Sequence, residues 1–214
     1  VTRLRRILAL ALCALIASAS LVYADGVPAR PMLVSWLGHV PVLSFSIADF
    51  VNPSVKEKLN SGLPQRIVTR VYAYPETGEE PITVSALSCR VVYDLWEGGY
   101  RVQTQSDKAD RSFVANDIAG VVRSCLDVRT LAIGDSDTFA RYRGKRVYFA
   151  ALVELNPLSP DTVQRIRRWL SKSGGGQLRG DAFFGSFVSI FVSRRLGSAE
   201  QVLAFRSEIF SVPP

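Results

Sequence analysis

The run from Ile82 to Gln105, ITVSALSCRVVYDLW-EGG-YRVQTQ, constrains the fold more than any other stretch of this chain. It is rich in β-branched and aromatic residues. Cys89, Val91, Tyr93 and Leu95 fall on one parity, so they share one strand face. Glu97-Gly98-Gly99 then supplies a tight reversal into the second strand, which predicts a β-hairpin. A lone hairpin is marginal in water. Its apolar face must therefore be covered by further elements, and the rest of the sequence offers both strands and helices.

Upstream, VLSFSIADF alternates Leu43, Phe45 and Ile47 with Ser44 and Ser46, as a half-buried strand does. A short helix follows, with Asn52 as N-cap, Pro53 in the first turn and Gly62 past the end. LPQRIVTRVYAY reads as a strand, and the polar, proline-bounded PETGEEP breaks it. Downstream, residues 106–113 read as a charged loop. Residues 114–126 read as a helix with the stripe Val114, Ile118, Val121, Val122 and Cys125. Residues 129–146 suggest a short strand and a connection. VYFAALVEL, apolar on both parities, suggests a central strand covered on two sides. Ser159 and Pro160 open a predicted helix whose apolar stripe is Val163, Ile166, Trp169 and Leu170. A glycine-rich loop separates it from DAFFGSFVSIFVSRRLG, predicted as a core helix, and QVLAFRSEIFSV closes the chain as a strand. The expectation is one α+β domain over 42–214, β-rich, an antiparallel sheet or sandwich with three to four packed helices. Residues 25–41 are expected to be an irregular lead-in.

The N-terminus predicts an address. Three arginines in VTRLRR precede a long uncharged run, and Val22 and Ala24 occupy the minus-three and minus-one positions of a cleavage site. That pattern predicts a signal peptide over 1–24, hence export to the periplasm or envelope of a Gram-negative bacterium. The apolar run approaches the ~20 residues that span a bilayer, so retention as an anchor stays open. Cleavage would leave no transmembrane span and lower the formal charge from +7 to +4. Export makes a disulfide between Cys89 and Cys125 an expectation, with two separate buried thiols as the alternative.

Chemistry-bearing residues are sparse. His39 is the single histidine and no GxSxG elbow accompanies it, which argues against a serine or cysteine hydrolase. One histidine and two distant cysteines make no zinc site. GDSD at 134–137 lacks the spaced oxygen ligands of a calcium loop, so Asp135 and Asp137 read as turn formers. No metal or cofactor is expected. Basic clusters at Arg141, Arg143, Lys145 and Arg146, and at Arg165, Arg167 and Arg168, could form an anion-binding face for lipid or polysaccharide; a solvated surface is the plainer reading. Phe184, Phe187 and Phe191 share a helical face, either core or the lining of an apolar groove. Tyr93, Trp96 and Tyr100 around the hairpin turn suggest a ligand platform or, alternatively, cross-strand packing. Nucleic acid is not expected, because aromatics do not interleave with the basic clusters.

LSFSIADF, NSGLPQRIVTRVYAY and CRVVYDLWEGGYRV together resemble an uncharacterised family of exported proteobacterial proteins, over about residues 42–156. LVELNPLSPDTVQRIRRWL and FFGSFVSIFVSRR resemble a myxobacterial version of it. PETGEEP stands where that family carries a tryptophan- and arginine-rich segment. The resemblance implies export and a mixed fold, and brings no catalytic residues. The expectation is a non-catalytic binding or interaction module of the envelope, its partner an envelope protein. The alternatives are a binder of anionic lipid or envelope polymer, and an envelope enzyme using carboxylates that the sequence does not mark.

Overall fold

A computed structural model describes residues 27–106, 109–157 and 199–214. The predicted signal peptide, the helix carrying Arg165, Arg167 and Arg168, and the segment carrying Phe184, Phe187 and Phe191 lie outside the described residues.

Nine strands form two antiparallel sheets among those residues. The smaller has the order β1-β2-β7, from β1 (Leu33–Leu37), β2 (Val40–Ser46) and β7 (Asp127–Ala132). The larger has the order β6-β5-β4-β3-β8-β9, from β3 (Gln65–Pro75), β4 (Thr83–Asp94), β5 (Gly99–Ser106), β6 (Ala109–Ala115), β8 (Arg146–Leu155) and β9 (Gln201–Ser211). Three short helices accompany them: α1 (Pro53–Leu59), α2 (Ile118–Cys125) and α3 (Ser136–Ala140). Each starts where a side chain satisfies a free backbone donor. Asn52 Oδ1 accepts from Val55 N at 3.0 Å, Asp117 Oδ1 from Gly120 N at 2.6 Å, and Asp135 Oδ1 from Thr138 N at 2.8 Å.

The expected α+β fold with three to four packed helices is therefore corrected to a sheet-dominated one. Two misreadings contribute. Of residues 106–113, expected to be a charged loop, Ser106 ends β5 and Ala109–Phe113 form most of β6. Val102 pairs with Phe113 and Tyr100 with Ala115. The predicted helix consequently begins at Ile118 rather than Val114. The lead-in, expected to be irregular, carries β1, which pairs with β2 from Leu33↔Ser44 to Leu37↔Val40 around a turn with Gly38 at φ +61°.

Register explains the core. Ile67 of β3 stands opposite Cys89 on one side and Leu155 on the other, and Cys89 in turn opposite Thr104. Ile67, Val71, Ala73, Cys89, Val91, Val153 and Leu155 thus share one face of the large sheet, all buried. Leu43 and Phe45 of β2, Val128 of β7 and Val121 of α2 belong to the same cluster. Phe45 meets Phe205 edge-on, with ring centroids 5.7 Å apart, across the gap between the sheets. β8 lies between β3 and β9 and is buried along nearly its whole length, as its two-sided apolarity requires. The opposite face of β3, β8 and β9 holds a smaller cluster of Tyr74, Ala150, Leu152 and Ala204, with Tyr74 stacked on Tyr148.

Asn156 closes the end of this sheet. Its φ is +49°, a region that asparagine tolerates better than most residues. Its Oδ1 accepts from Arg66 N at 2.8 Å, and its Nδ2 donates to Gln65 Oε1 at 2.7 Å and Glu200 Oε1 at 3.1 Å. Asn156→Ala loses these bonds and strains the backbone. It is expected to cost about 2–3 kcal/mol in urea denaturation, and Asn156→Gly, which relieves the strain, distinctly less. Equal losses would place the whole effect in the hydrogen bonds.

Candidate functional site

The two sheets do not close on each other everywhere. The small sheet has three strands against six, and α2 fills only one end of the remaining space. Between β7 and the inner face of β4, β5 and β6 the sandwich opens as a wedge of about 520 Å³. A smaller arm of about 290 Å³ extends toward the start of β4 and shares Ser106, Thr130 and Leu131 with it. Leu87, Val128 and Leu131 give the wedge apolar walls, with Phe113 at its mouth, and Thr104 and Ser124 add hydroxyls. The volume lies within the usual range for ligand clefts.

Three arginines line it: Arg111 from β6, Arg123 from α2 and Arg129 from β7, against one carboxylate, Asp127. Arg129 Nη2 and Nε both donate to Asp127 Oδ2, at 2.5 and 3.0 Å, so that pair is locally neutral. Arg123 stands 4.0 Å from Asp117. The Arg111 side chain makes no hydrogen bond or ion pair among the described residues. Among the described residues the wedge therefore carries a net positive charge, and the donors of Arg111 and Arg123 make no hydrogen bond there.

Its rims are strand edges. Among the described residues no strand pairs with β7 on the side away from β2, nor with β6 on the side away from β5. In an antiparallel ladder every second residue turns its N–H and C=O to the free side. The edge of β7 also holds an outlier. Thr130 sits at φ +54°, which a β-branched residue resists, where the β2–β7 register shifts; its N–H donates to Ser44 Oγ at 3.2 Å. Such strain costs about 1–3 kcal/mol and is concentrated at functional positions. Thr130→Gly is expected to raise stability by about 1 kcal/mol net of glycine's entropy cost. A lower denaturation midpoint would mean that the conformation is not strained.

The residues singled out in the sequence lie mostly elsewhere. Cys89 and Cys125 are joined in a disulfide, Cα atoms 5.6 Å apart, which fastens the last residue of α2 to β4 beside the wedge. Arg141, Arg143, Lys145 and Arg146 cluster between α3 and β8, and three of them have close local partners. Arg143 donates to His39 Nε2 at 2.9 Å, Lys145 lies over the Tyr142 ring, and Arg146 pairs with Glu76 at 3.0 Å. Arg141 is near enough to Asp135 to act on its carboxyl. Asp135 caps α3 and accepts from the Thr138 hydroxyl, which, with the Thr138 N–H, holds its carboxyl below the ordinary range. Tyr93 and Tyr100 pack across the hairpin, with centroids 4.8 Å apart, whereas Trp96 projects from the turn.

An active site built from carboxylates calls for two buried acids with raised pKa values. Asp49, Asp94, Asp135 and Glu200 are all displaced downward instead, each by hydrogen bonds to its charged form. The buried Glu154 is paired with Arg70. Among the described residues no cluster of three or more potential metal ligands occurs, and no helix is long and apolar enough to cross a membrane.

Sequence reasoning missed Arg111, Arg123 and Arg129, which come from three elements and converge only through sheet pairing. Compared with known proteins, the chain matches no family model, no curated protein and no solved structure.

Proposed function

We propose that this chain is a non-enzymatic binding module, working in the periplasm or envelope, that takes an extended, acidic peptide segment into the wedge between its sheets. The observation that carries the reading is the wedge itself: a cleft with apolar walls, an excess of arginine and, among the described residues, an unpaired strand edge on either rim. An extended segment added to a free edge would gain main-chain hydrogen bonds, its apolar side chains would meet Leu87 and Leu131, and its carboxylates would meet Arg111. The Cys89–Cys125 disulfide supports an oxidising compartment, and the resemblance to exported proteobacterial proteins belongs to the same reading.

The test is fluorescence anisotropy of the full chain with labelled peptides, acidic and neutral, of matched hydrophobicity. Acidic peptides are expected to bind, more weakly as salt rises, and Arg111→Glu to weaken them by about tenfold or more. Failure of every peptide to bind, or binding indifferent to Arg111→Glu, would overturn the reading. An anionic polysaccharide that binds where peptides do not would replace it with the envelope-polymer alternative.

A further inference from the structure

The two edges of the large sheet differ. Along β9 the lead-in covers the edge: Arg30 N donates to Arg206 O at 2.8 Å and Arg206 N to Pro28 O at 3.0 Å, a parallel bridge at Ala29. Along β6, among the described residues, no segment does the same. Every β6 residue from Ala109 to Val114 is exposed, on both faces of the strand, with Val114 at 64%. An uncovered edge of this kind is a template for pairing with another chain.

The groups that β6 offers follow from the ladder. Arg66 of β3 turns its N–H and C=O toward β8, where they meet Asn156 Oδ1 at 2.8 Å and Asn156 N at 2.7 Å. Alternation then turns Ile67 toward Cys89 of β4 and Arg90 toward Gln103 of β5. It turns Val102 toward Phe113 of β6, because the register is unbroken across all four strands. Asp110, Ser112 and Val114 are left with N–H and C=O pointing away from the sheet. Arg111 and Phe113 set their side chains on the inner face, beside Thr104 and Val102.

This row is complementary to itself. A second β6 laid antiparallel, with Ser112 opposite Ser112 of the copy, sets Asp110 opposite Val114 and Val114 opposite Asp110. All the outward residues of both strands then pair, each pair exchanging two hydrogen bonds. On the inner face the same register sets each Arg111 opposite Phe113 of the copy. There a guanidinium can lie on the ring and keep its edge donors free for a carboxylate. A slip of two residues loses one of the outward pairs, and in one direction it sets Arg111 against Arg111. A slip of one residue sets outward groups against groups already bonded to β5. A charge pointing inward from an edge strand ordinarily discourages pairing; here it selects one register.

We infer that this chain forms a two-fold dimer by antiparallel pairing of β6 with β6 of a second copy, which joins two six-stranded sheets into one. The contact is isologous and uses up the β6 edge of both partners, so assembly stops at two copies. One strand on each side makes a small interface, so association is expected to be reversible and concentration dependent. The β7 edge and the interior of the wedge stay open, so the inference goes beyond the peptide reading and stands or falls without it.

Sedimentation velocity of the full chain over a wide concentration range is expected to show a monomer–dimer equilibrium with no larger species. Ser112→Pro removes an outward N–H that β5 does not use, so the β5–β6 ladder stays whole and circular dichroism is expected to be unchanged. Both central donors of the dimer are lost, and association is expected to weaken on the order of 30-fold. Cysteine crosslinking reads the register without relying on that variant. The Ser112 Cα atoms of two copies would stand about 5.5 Å apart, within disulfide reach. Those of Asp110 would stand about 14 Å apart, beyond it. Ser112→Cys is therefore expected to give a crosslinked dimer under mild oxidation, and Asp110→Cys none at the same concentration. A chain that stays monomeric throughout, growth beyond two copies, a folded Ser112→Pro variant that associates unchanged, or equal crosslinking at the two positions would each overturn the inference.

Discussion

Replacing both Cys89 and Cys125 with alanine is expected to lower the unfolding free energy by about 4 kcal/mol and the melting temperature by about 8–16 °C. The bridge spans a sequence separation of 36 residues, and the chain-entropy model assigns a loop of that length nearly 4 kcal/mol, exerted mainly on the unfolded state. Domains of this size are typically stable by only 5–15 kcal/mol, so the bond is a large fraction of the whole. The loss has a local consequence too. Cys125 ends α2, which contributes Arg123 and Ser124 to the wedge, and Cys89 lies on β4 two residues from Leu87. Without the bond α2 is held on the sheet by the packing of Val121, with Ile118 and Val122 beside it. Affinity for acidic peptides is then expected to fall along with stability. Denaturation with and without reductant, beside a count of free thiols, makes the measurement. A variant with the same midpoint as the parent would show that the crosslink contributes nothing.

What the sequence revealed followed how strongly burial constrained each segment. β3, β4 and β8 are interior strands, so their residues had to be apolar on the core face, and their pattern was readable. α1 was readable from its ends, since Asn52 and Pro53 do the same physical work in any context. β6 was not. It is an edge strand with mostly exposed residues, and only Ala115 is fully buried, so Asp110, Arg111 and Ser112 carry no signal of pairing. β1 was obscured likewise: Leu33 and Leu37 point to solvent while Val34 and Trp36 are only half buried. The wedge was hidden for a related reason. It exists because the small sheet is narrower than the large one, a property of strand pairing over long separations that no local spacing encodes. The turn around Trp96 was legible as a turn, with a platform and cross-strand packing as open readings. The structure divides these roles, pairing Tyr93 with Tyr100 and leaving Trp96 outside.

Truncating Phe139 to alanine is expected to cost about 3–5 kcal/mol, the range for a fully buried phenylalanine. Phe139 lies on α3, a helix of only five residues that cannot hold itself together by its own hydrogen bonds. Its ring meets Trp36 of β1 edge-on at 5.9 Å and approaches Gly134, which stands at φ +65° where the chain leaves β7. One side chain thus joins the small sheet, the β7 exit and the link into β8. Removing it leaves a cavity at this junction and frees the segment that carries Gly134 and Asp135, which line the smaller arm of the wedge. Phe139→Leu, which keeps most of the volume, is expected to cost about 1.5 kcal/mol or less. Urea denaturation separates the two variants. Anisotropy with an acidic peptide, at a temperature where both remain folded, asks whether the cleft depends on this anchor. A binding constant unchanged in Phe139→Ala would mean that the smaller arm takes no part in recognition, and would confine the site to the larger part around Arg111.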